Sequence, residues 1–286
     1  MRRIVVTGAN KGIGFAIVER ILEETEDTFI FLGARDLRRG EDAAKRLEQS
    51  SRVQVVELDV GIDESVKTAA LHIKEACNGE PLYGIVNNAG VGESDDLPNI
   101  LNVNARGIYR VCTALIPLLR DDGRVINVTS AAGPRFVSAC SARYQQFFTY
   151  PNVSWNEIKA LMNESEQLDR EGLLSRGLGN GSFYGFSKAC ANALTIHLAR
   201  EYPNLIIHAC TPGFIATDIT LRHEREQGKS LKEMGAKTPR EGANSTLFLL
   251  FGEPKGSGHY YGSDAKRSPL DRYRSPGSPE YIEQDT

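Results

Sequence analysis

A tyrosine and a lysine four residues apart, in Tyr184-Gly185-Phe186-Ser187-Lys188, offer the chain's most specific chemistry. Residues at that spacing share a helix face, so a phenol and an ammonium would stand side by side. A neighbouring cation favours phenolate and draws a tyrosine pKa from about 10 towards working pH, as a general acid/base requires. Ser130, just past the β-branched run 124–128, could then donate a hydrogen bond to a carbonyl oxygen. Taken alone, a Tyr/Lys pair at this spacing is far more often an ordinary helix surface pair than a catalytic one, and its weight depends on what accompanies it.

Three further segments accompany it. Thr7-Gly8-Ala9-Asn10-Lys11-Gly12-Ile13-Gly14 directly follows an apolar run and opens a stretch of helical periodicity. Glycines there let the backbone turn sharply and approach a pyrophosphate set against the positive end of a helix. The glycine spacing departs from G-x-G-x-x-G, and the missing G-K-S/T ending excludes a P-loop; a plain glycine-rich turn is the alternative. Next, Gly33-Ala34-Arg35-Asp36 ends the second β-branched run, where an NAD-selective site places a carboxylate on the ribose. Ala34 stands there instead, and Arg35, with Arg39 and Lys11 in reach of the same corner, suits the 2′-phosphate of NADP(H). Solvated surface charge is the competing account of these cations, and a small register shift would bring Asp36 onto the ribose. Finally, Asn87-Asn88-Ala89-Gly90 would let a ring or ribose pass close to the backbone, and serves equally as a structural turn.

Such residues need elements to position them. Short β-branched runs alternate with longer amphipathic stretches, the pattern of βαβ units in a doubly wound α/β fold with a parallel sheet. The patterning predicts strands over 3–6, 29–33, 53–58, 84–87, 124–128, 206–210 and 259–261, and helices over 12–23, 40–49, 64–77, 97–119, 184–202 and 239–250. Thr238, Pro239 and Glu241 spell a capping box for the last helix. The interval 133–181 breaks the alternation: Ser154 and Glu157 form a second capping box, followed by Trp155, Ile158, Leu161 and Met162 at helical spacing, so a helical insertion is expected. The stripe either packs on the main domain or faces outward as a dimer interface. A single domain over 1–267 results, with 214–237 either a substrate lid or a surface connection. After Ser268 the composition turns to Ser, Pro, Gly and charge, which predicts a flexible tail over 268–286.

Composition narrows the function classes. The net charge of −3, from 34 basic and 37 acidic residues among 286, with no long basic block, argues against a nucleic-acid partner. The N-terminal apolar run stops at Val6, too short for a signal segment, and no run approaches membrane-spanning length, so a cytoplasmic protein is expected. Cys77, Cys112, Cys140, Cys190 and Cys210 stand singly, which suggests neither a disulfide framework nor a zinc site, and no metal is expected.

In order along the chain, TGANKGIG, NNAG, Asn104 in NVNARG, Ser130 in INVTS, YGFSK and TPGFIATD resemble the short-chain dehydrogenase/reductase family over residues 3 to 262. The resemblance implies a Rossmann-type fold and a catalytic set of Asn104, Ser130, Tyr184 and Lys188. Tyr184 would donate the proton, Lys188 would hold the nicotinamide ribose and lower the tyrosine pKa, Ser130 would orient the substrate oxygen, and Asn104 would anchor a water relay. Gly8, Asn10, Lys11, Gly12, Ile13 and Gly14 would carry the cofactor with Arg35 and Arg39. Asp59 and Val60 would flank the adenine, Asn88 would lie under the ribose, and Ile215, Ala216 and Thr217 would contact the nicotinamide amide.

The chain is most similar to the monomeric, NADPH-dependent carbonyl reductase branch. The carrying features are the long interval between Ser130 and Tyr184, the lysine in TGANKGIG and the ARD segment at Arg35. Branch members often carry a cysteine, a tryptophan and an arginine where this chain has Thr211, Phe214 and Ala216, so Phe214 joins Ser130 and Tyr184 as a substrate contact of altered range. Reduction of ketones, aldehydes or quinones by a monomer is the expectation. The alternatives are an NADPH-sensing regulator without turnover and an alcohol dehydrogenase working in the oxidative direction.

Overall fold

In the computed structural model, which describes residues 1–221, 224 and 228–282, one eight-stranded sheet organises the chain. Its first half follows the βαβ alternation: β1 (Arg2–Val6), α1 (Gly12–Glu24), β2 (Thr28–Ala34), α2 (Leu37–Ala44), β3 (Val53–Glu57), α3 (Asp63–Cys77) and β4 (Leu82–Asn87). After the short helix α4 (Leu97–Leu101), a π-type turn over Asn102–Arg106 leads into α5 (Gly107–Leu115) and β5 (Leu119–Val128). The insertion supplies α6 (Ala132–Ser138), α7 (Ala142–Thr149), α8 (Trp155–Ser165) and α9 (Arg170–Ser175). Then come α10 (Phe183–Glu201), β6 (Ile206–Cys210), the short helices Pro239–Gly242 and Asn244–Phe251, β7 (Tyr260–Tyr261) and β8 (Arg267–Ser268).

The strand order β3-β2-β1-β4-β5-β6-β7-β8 is parallel throughout except for the β7/β8 pair. Strand order reverses between β1 and β4, and in such sheets a ligand crevice opens beyond the carboxyl ends at that point. Alternation along the strands fills both faces. Val5, Phe31, Ile85, Val125 and Ile207 pack towards α3, α5 and α10, while Ile4, Val6, Ile30, Leu32 and Ile126 pack towards α1 and Asn244–Phe251.

The helix expected over 40–49 lies earlier, at Leu37–Ala44, β8 was not expected, and three further departures have a local cause. The stretch 97–119 is not one helix: the π-type turn interrupts it, and at Pro117, which has no N–H to continue the helical bonding, it tightens before Leu119 pairs with Leu82. The helix expected over 239–250 breaks at Ala243, although its capping box forms, with Thr238 N–H donating to Glu241 at 2.8 Å and Glu241 N–H to Thr238 at 3.2 Å. The third departure concerns the tail. Residues 269–282 lie on the body: Arg274, 7% exposed, pairs with Asp264 and donates to the Ser268 hydroxyl and the Ser278 carbonyl. Tyr281 N–H donates to the Arg267 carbonyl at 3.0 Å, and Tyr273 stacks beneath Arg135 of α6 at 4.1 Å. Charge and aromatic contacts thus substitute for the aliphatic burial that the composition lacks. Residues 283–286 of that segment, and 222, 223 and 225–227 of the stretch expected to form a lid, lie outside the described residues.

The insertion turns its apolar stripe inward. Ile158 and Met162 are fully buried, Leu161 nearly so, and Trp155 stacks on Tyr109 of α5 at 4.0 Å. Phe136 and Phe148 close on Phe186 of α10 at 5.6 and 6.4 Å between ring centres. The helix carrying Tyr184 and Lys188 is therefore buried over most of its circumference within one chain.

Candidate active site

Three loops meet at the carboxyl ends of β1, β4 and β5. Gly8 adopts a left-handed φ of +63°, which turns the chain out of β1. A Cβ on Gly14 would come 2.4 Å from Asn88 Nδ2 and 2.5 Å from the Gly8 carbonyl, so only glycine fits where α1 begins. Thr7 Oγ1 accepts the N–H groups of Asn88 and Ala89, both at 3.0 Å, and Asn88 Nδ2 donates back to the carbonyls of Thr7 and Gly8 at 2.9 and 3.1 Å. Asn88 thus ties the glycine turn to the loop after β4. Asn10 and Ile13 are half-buried along the same turn, and Thr217, from the loop after β6, lies 3.5 Å from where a Cβ on Gly12 would be.

At the end of β2, Asp36 is the N-cap of α2, accepting Arg39 N–H at 3.0 Å. That use engages its Oδ1 in the first turn of the helix. Arg35 is exposed beside it, and Arg39 sits 3.9 Å from Asp36. Lys11 departs from expectation: it is ion-paired with Asp218, next to Thr217, so its charge is engaged by the loop after β6. Both partners are largely exposed, and such a pair holds weakly. Asp59 N–H donates to Ser65 Oγ, and Asp59 Oδ1 accepts Gly61 N–H at 2.9 Å, with Val60 buried between them.

Tyr184 occupies the first turn of α10, with Lys188 one turn on and Ser130 facing it from the end of β5. Ser130 Oγ accepts Ala132 N–H at 3.1 Å. Lys188 is 4% exposed, its Nζ 5.5 Å from the Tyr184 ring centre and 3.3 Å from the Val128 carbonyl it donates to. One acceptor leaves two of its protons for something in the crevice. Burial pulls the Lys188 ammonium down to about 8, with nearby Cys210 opposing. For Tyr184 the expected direction reverses. Burial raises the phenol above its ordinary value, hydrogen bonding with Ser130 pulls the other way, and the negative charge of Glu93 raises it further. A raised pKa keeps the phenol protonated at neutral pH.

Asn104 is fully buried in the π-type turn, a distortion common at functional sites. Its Oδ1 accepts Val91 N–H at 2.9 Å, and its Nδ2 donates to the Val91 carbonyl and to Ser187 Oγ, both at 3.0 Å. Ser187 in turn donates to the Tyr184 carbonyl at 2.8 Å. The side chain of Asn104 is thus committed to holding the loop after β4 against α10. Ile215 is buried, Ala216 N–H donates to the Lys237 carbonyl, and Phe214 is exposed with Ile219 and Leu221 in one loop. Ile219 overlies Gly92, where a Cβ would meet it at 3.0 Å. Among the described residues no cluster of His, Cys, Asp and Glu could hold a metal ion.

Sequence patterning missed Glu93, Arg170, Ser182 and Ser187. Ser182, the N-cap of α10, carried a local signal, a serine just ahead of an apolar helix. Glu93 and Arg170 carried none, being 77 positions apart.

A family model for short chain dehydrogenases matches residues 2–145, half of the chain. Carbonyl reductase (NADPH) 1 of Sus scrofa is 31% identical over 83% of this chain and 85% of its own length, and its Homo sapiens counterpart is 29% identical over 89% and 92%. Among solved structures, salutaridine reductase from Papaver somniferum superposes with a TM-score of 0.76 at 26% identity, covering 91% of this chain and 99% of that one. NADPH-bound carbonyl reductase from chicken fatty liver shares the fold at a TM-score of 0.69 and 22% identity, over 94% and 98%. A matching family model, relatives aligned along most of their length and a shared sheet topology agree with the loops gathered at the switch point: the chain belongs to the short chain dehydrogenase family.

Proposed function

We propose that this protein reduces carbonyl compounds with NADPH, Tyr184 giving the proton. The observation that carries the reading is the phenol of Tyr184 between Ser130 and a buried Lys188, at the same sheet edge as the glycine turn. The names of the carbonyl reductases from Sus scrofa and Homo sapiens support the cofactor, as does Arg35, exposed where a 2′-phosphate would come.

The residues fit the cofactor. Gly8, Gly12 and Gly14 clear backbone space at the positive end of α1 for a diphosphate. Asp59 and Val60 would flank the adenine, Asn10, Ile13 and Asn88 would line the turn and ribose, and Ile215, Ala216 and Thr217 would meet the nicotinamide amide. Lys188 has protons free for ribose hydroxyls. When bound, NADPH supplies hydride to the carbonyl carbon of the substrate. Ser130 donates a hydrogen bond to the carbonyl oxygen, and the Tyr184 phenol gives that oxygen its proton, so an alcohol and a tyrosinate result. Lys188, with a pKa near neutrality, then returns a proton to the tyrosinate. A phenol held protonated favours reduction over alcohol oxidation. Asn104 positions α10 for these steps through Ser187.

Phe214, Ile219 and Leu221 give the substrate side an apolar wall. The inward-facing insertion supports a monomer, because a helix face buried within the chain cannot also serve a two-fold partner. Light scattering is expected to give a mass near 31.5 kDa; a stable mass of twice that would put an interface elsewhere. A cytoplasmic setting agrees with five buried, unpaired cysteines and with the absence, among the described residues, of a helix able to cross a membrane. The deciding measurement is NADPH oxidation against quinones, aromatic aldehydes, ketones and steroids. Turnover with any of these supports a reductase, and NADPH binding without turnover across the panel favours a sensor.

A further inference from the structure

Glu93 belongs to none of the motifs, yet it reaches the backbone of Tyr184. Its Oε2 accepts the Ser182 hydroxyl at 2.7 Å and the Tyr184 N–H at 3.2 Å, while its Oε1 accepts Arg170 at 3.0 Å. Tyr184 is the second residue of α10, where a backbone N–H has no partner inside the helix. A carboxylate is favoured there by the helix dipole. Ser182 caps the same turn by accepting Gly185 N–H at 2.9 Å. From α9 of the insertion, Arg170 also donates to the carbonyls of Gly181 and Ser94, pairs with Asp95 at 3.0 Å and lies 4.6 Å over the ring of Phe183. The loop after β4, the insertion and α10 therefore converge on one carboxylate.

We propose that Glu93 is a positioning residue for Tyr184, fixing the first turn of α10 through the Tyr184 N–H and the Ser182 hydroxyl, with Arg170 holding it from the insertion. The inference rests on Tyr184 being the proton donor. It gives the insertion a part in the reaction besides covering α10. It also places a negative charge near the phenol. Facing Tyr184 are Lys188 on its own helix, Ser130 from β5, Tyr260 from β7 and Glu93 with its partner Arg170. Glu93 disfavours tyrosinate, as burial does.

Glu93→Gln keeps the volume and one acceptor but removes the charge. With 4-nitrobenzaldehyde as probe, kcat is expected to fall tenfold to a hundredfold, the scale of a small displacement of a reacting group. KM for NADPH should be unchanged, and the alkaline limb of the kcat profile should move to lower pH as the phenol ionises more easily. Arg170→Met should lower kcat in the same direction, and the double variant should be no worse than Glu93→Gln alone, because two residues acting as a unit do not add. A Glu93→Gln enzyme with kcat within twofold of the parent and an unmoved alkaline limb overturns the proposal, even if its thermal midpoint drops, since that outcome is a cap and nothing more. Should Glu93→Gln fail to fold, Arg170→Met decides: a lower kcat at a retained thermal midpoint supports the proposal, and an unchanged kcat overturns it. Tyr184→Phe run alongside separates the two readings. If it is inactive while both variants match the parent, only the positioning role fails; if it stays active, the proton-donor reading fails first.

Discussion

The two sides of the crevice are built by different means. On the β1–β4 side, the site is made of backbone: glycines without room for a Cβ, a threonine hydroxyl taking two N–H groups, and an asparagine amide returning two bonds to carbonyls. On the α10 side it is held by charged side chains that reach across the sequence, Glu93 of the loop after β4 to Arg170 of the insertion. Cations follow the same division. Arg35 stands exposed at the edge of the first side, open to a ligand, whereas Arg170 on the second is consumed in holding segments together. Backbone geometry shapes the first side, and a side-chain pair joining separate segments shapes the second.

Perturbing each side in turn tests that division. The largest effect is expected for Tyr184→Phe, which should cut turnover by about 10²–10⁴-fold, the worth of a general acid, while NADPH affinity stays within a few-fold. Activity close to the parent's would take tyrosine out of the reaction. Next is Lys188→Met, expected to turn over less than the parent and to be more stable. The ammonium's ordinary value of 10.5 drops to about 8 in the fold, and at about 1.4 kcal/mol for each pKa unit the buried charge costs a few kcal/mol. A folded-state pKa below the unfolded one means that the unfolded chain binds the proton more tightly. The cost is therefore complete below pH 8 and fades as pH rises towards the unfolded value. Thermal midpoints should show the variant above the parent at pH 7 and the gap narrowing in alkali; a lower midpoint at pH 7 would mean that Lys188 is structural.

Arg35→Ala probes the backbone-built side. Losing a hydrogen bond to a charged group is worth about 1.5–3 kcal/mol, so NADPH should bind roughly tenfold to a hundredfold more weakly with little change for NADH. Equal losses for both cofactors would assign Arg35 to structure. The smallest effect on catalysis is expected for Arg274→Met, which removes the partner of Asp264. Limited proteolysis should cut residues 269–282 faster while kcat stays within twofold of the parent, and a large fall in kcat would connect the tail to the site.

How far the site was legible depended on the range over which each residue acts. The glycine turn, NNAG, the Tyr/Lys spacing and both capping boxes were readable because each works through its own backbone or its own helix, so residue type and spacing already contain the geometry. The doubly wound fold was readable for the same reason, its strands being short, β-branched and regularly spaced. Asp36 was read only as a confounder that a register shift would bring onto the ribose, and its use as the N-cap of α2 appears only in the structure. The direction of the Tyr184 pKa was misread: spacing shows the neighbouring lysine and suggests a lowered value, whereas burial and the charge of Glu93, which arrive only with the packed interior, raise it against the Ser130 hydrogen bond. Composition likewise gave no sign that residues 269–282 lie on the body, because Tyr273 meets Arg135 of α6 only once the chain has folded back. What the sequence by itself determined was the fold and the family, together with the groups proposed to react, all read from local backbone geometry. Only the tertiary structure decided which charges surround the tyrosine, which way the insertion faces and where the tail lies, because electrostatics and burial act between residues that only the fold brings together.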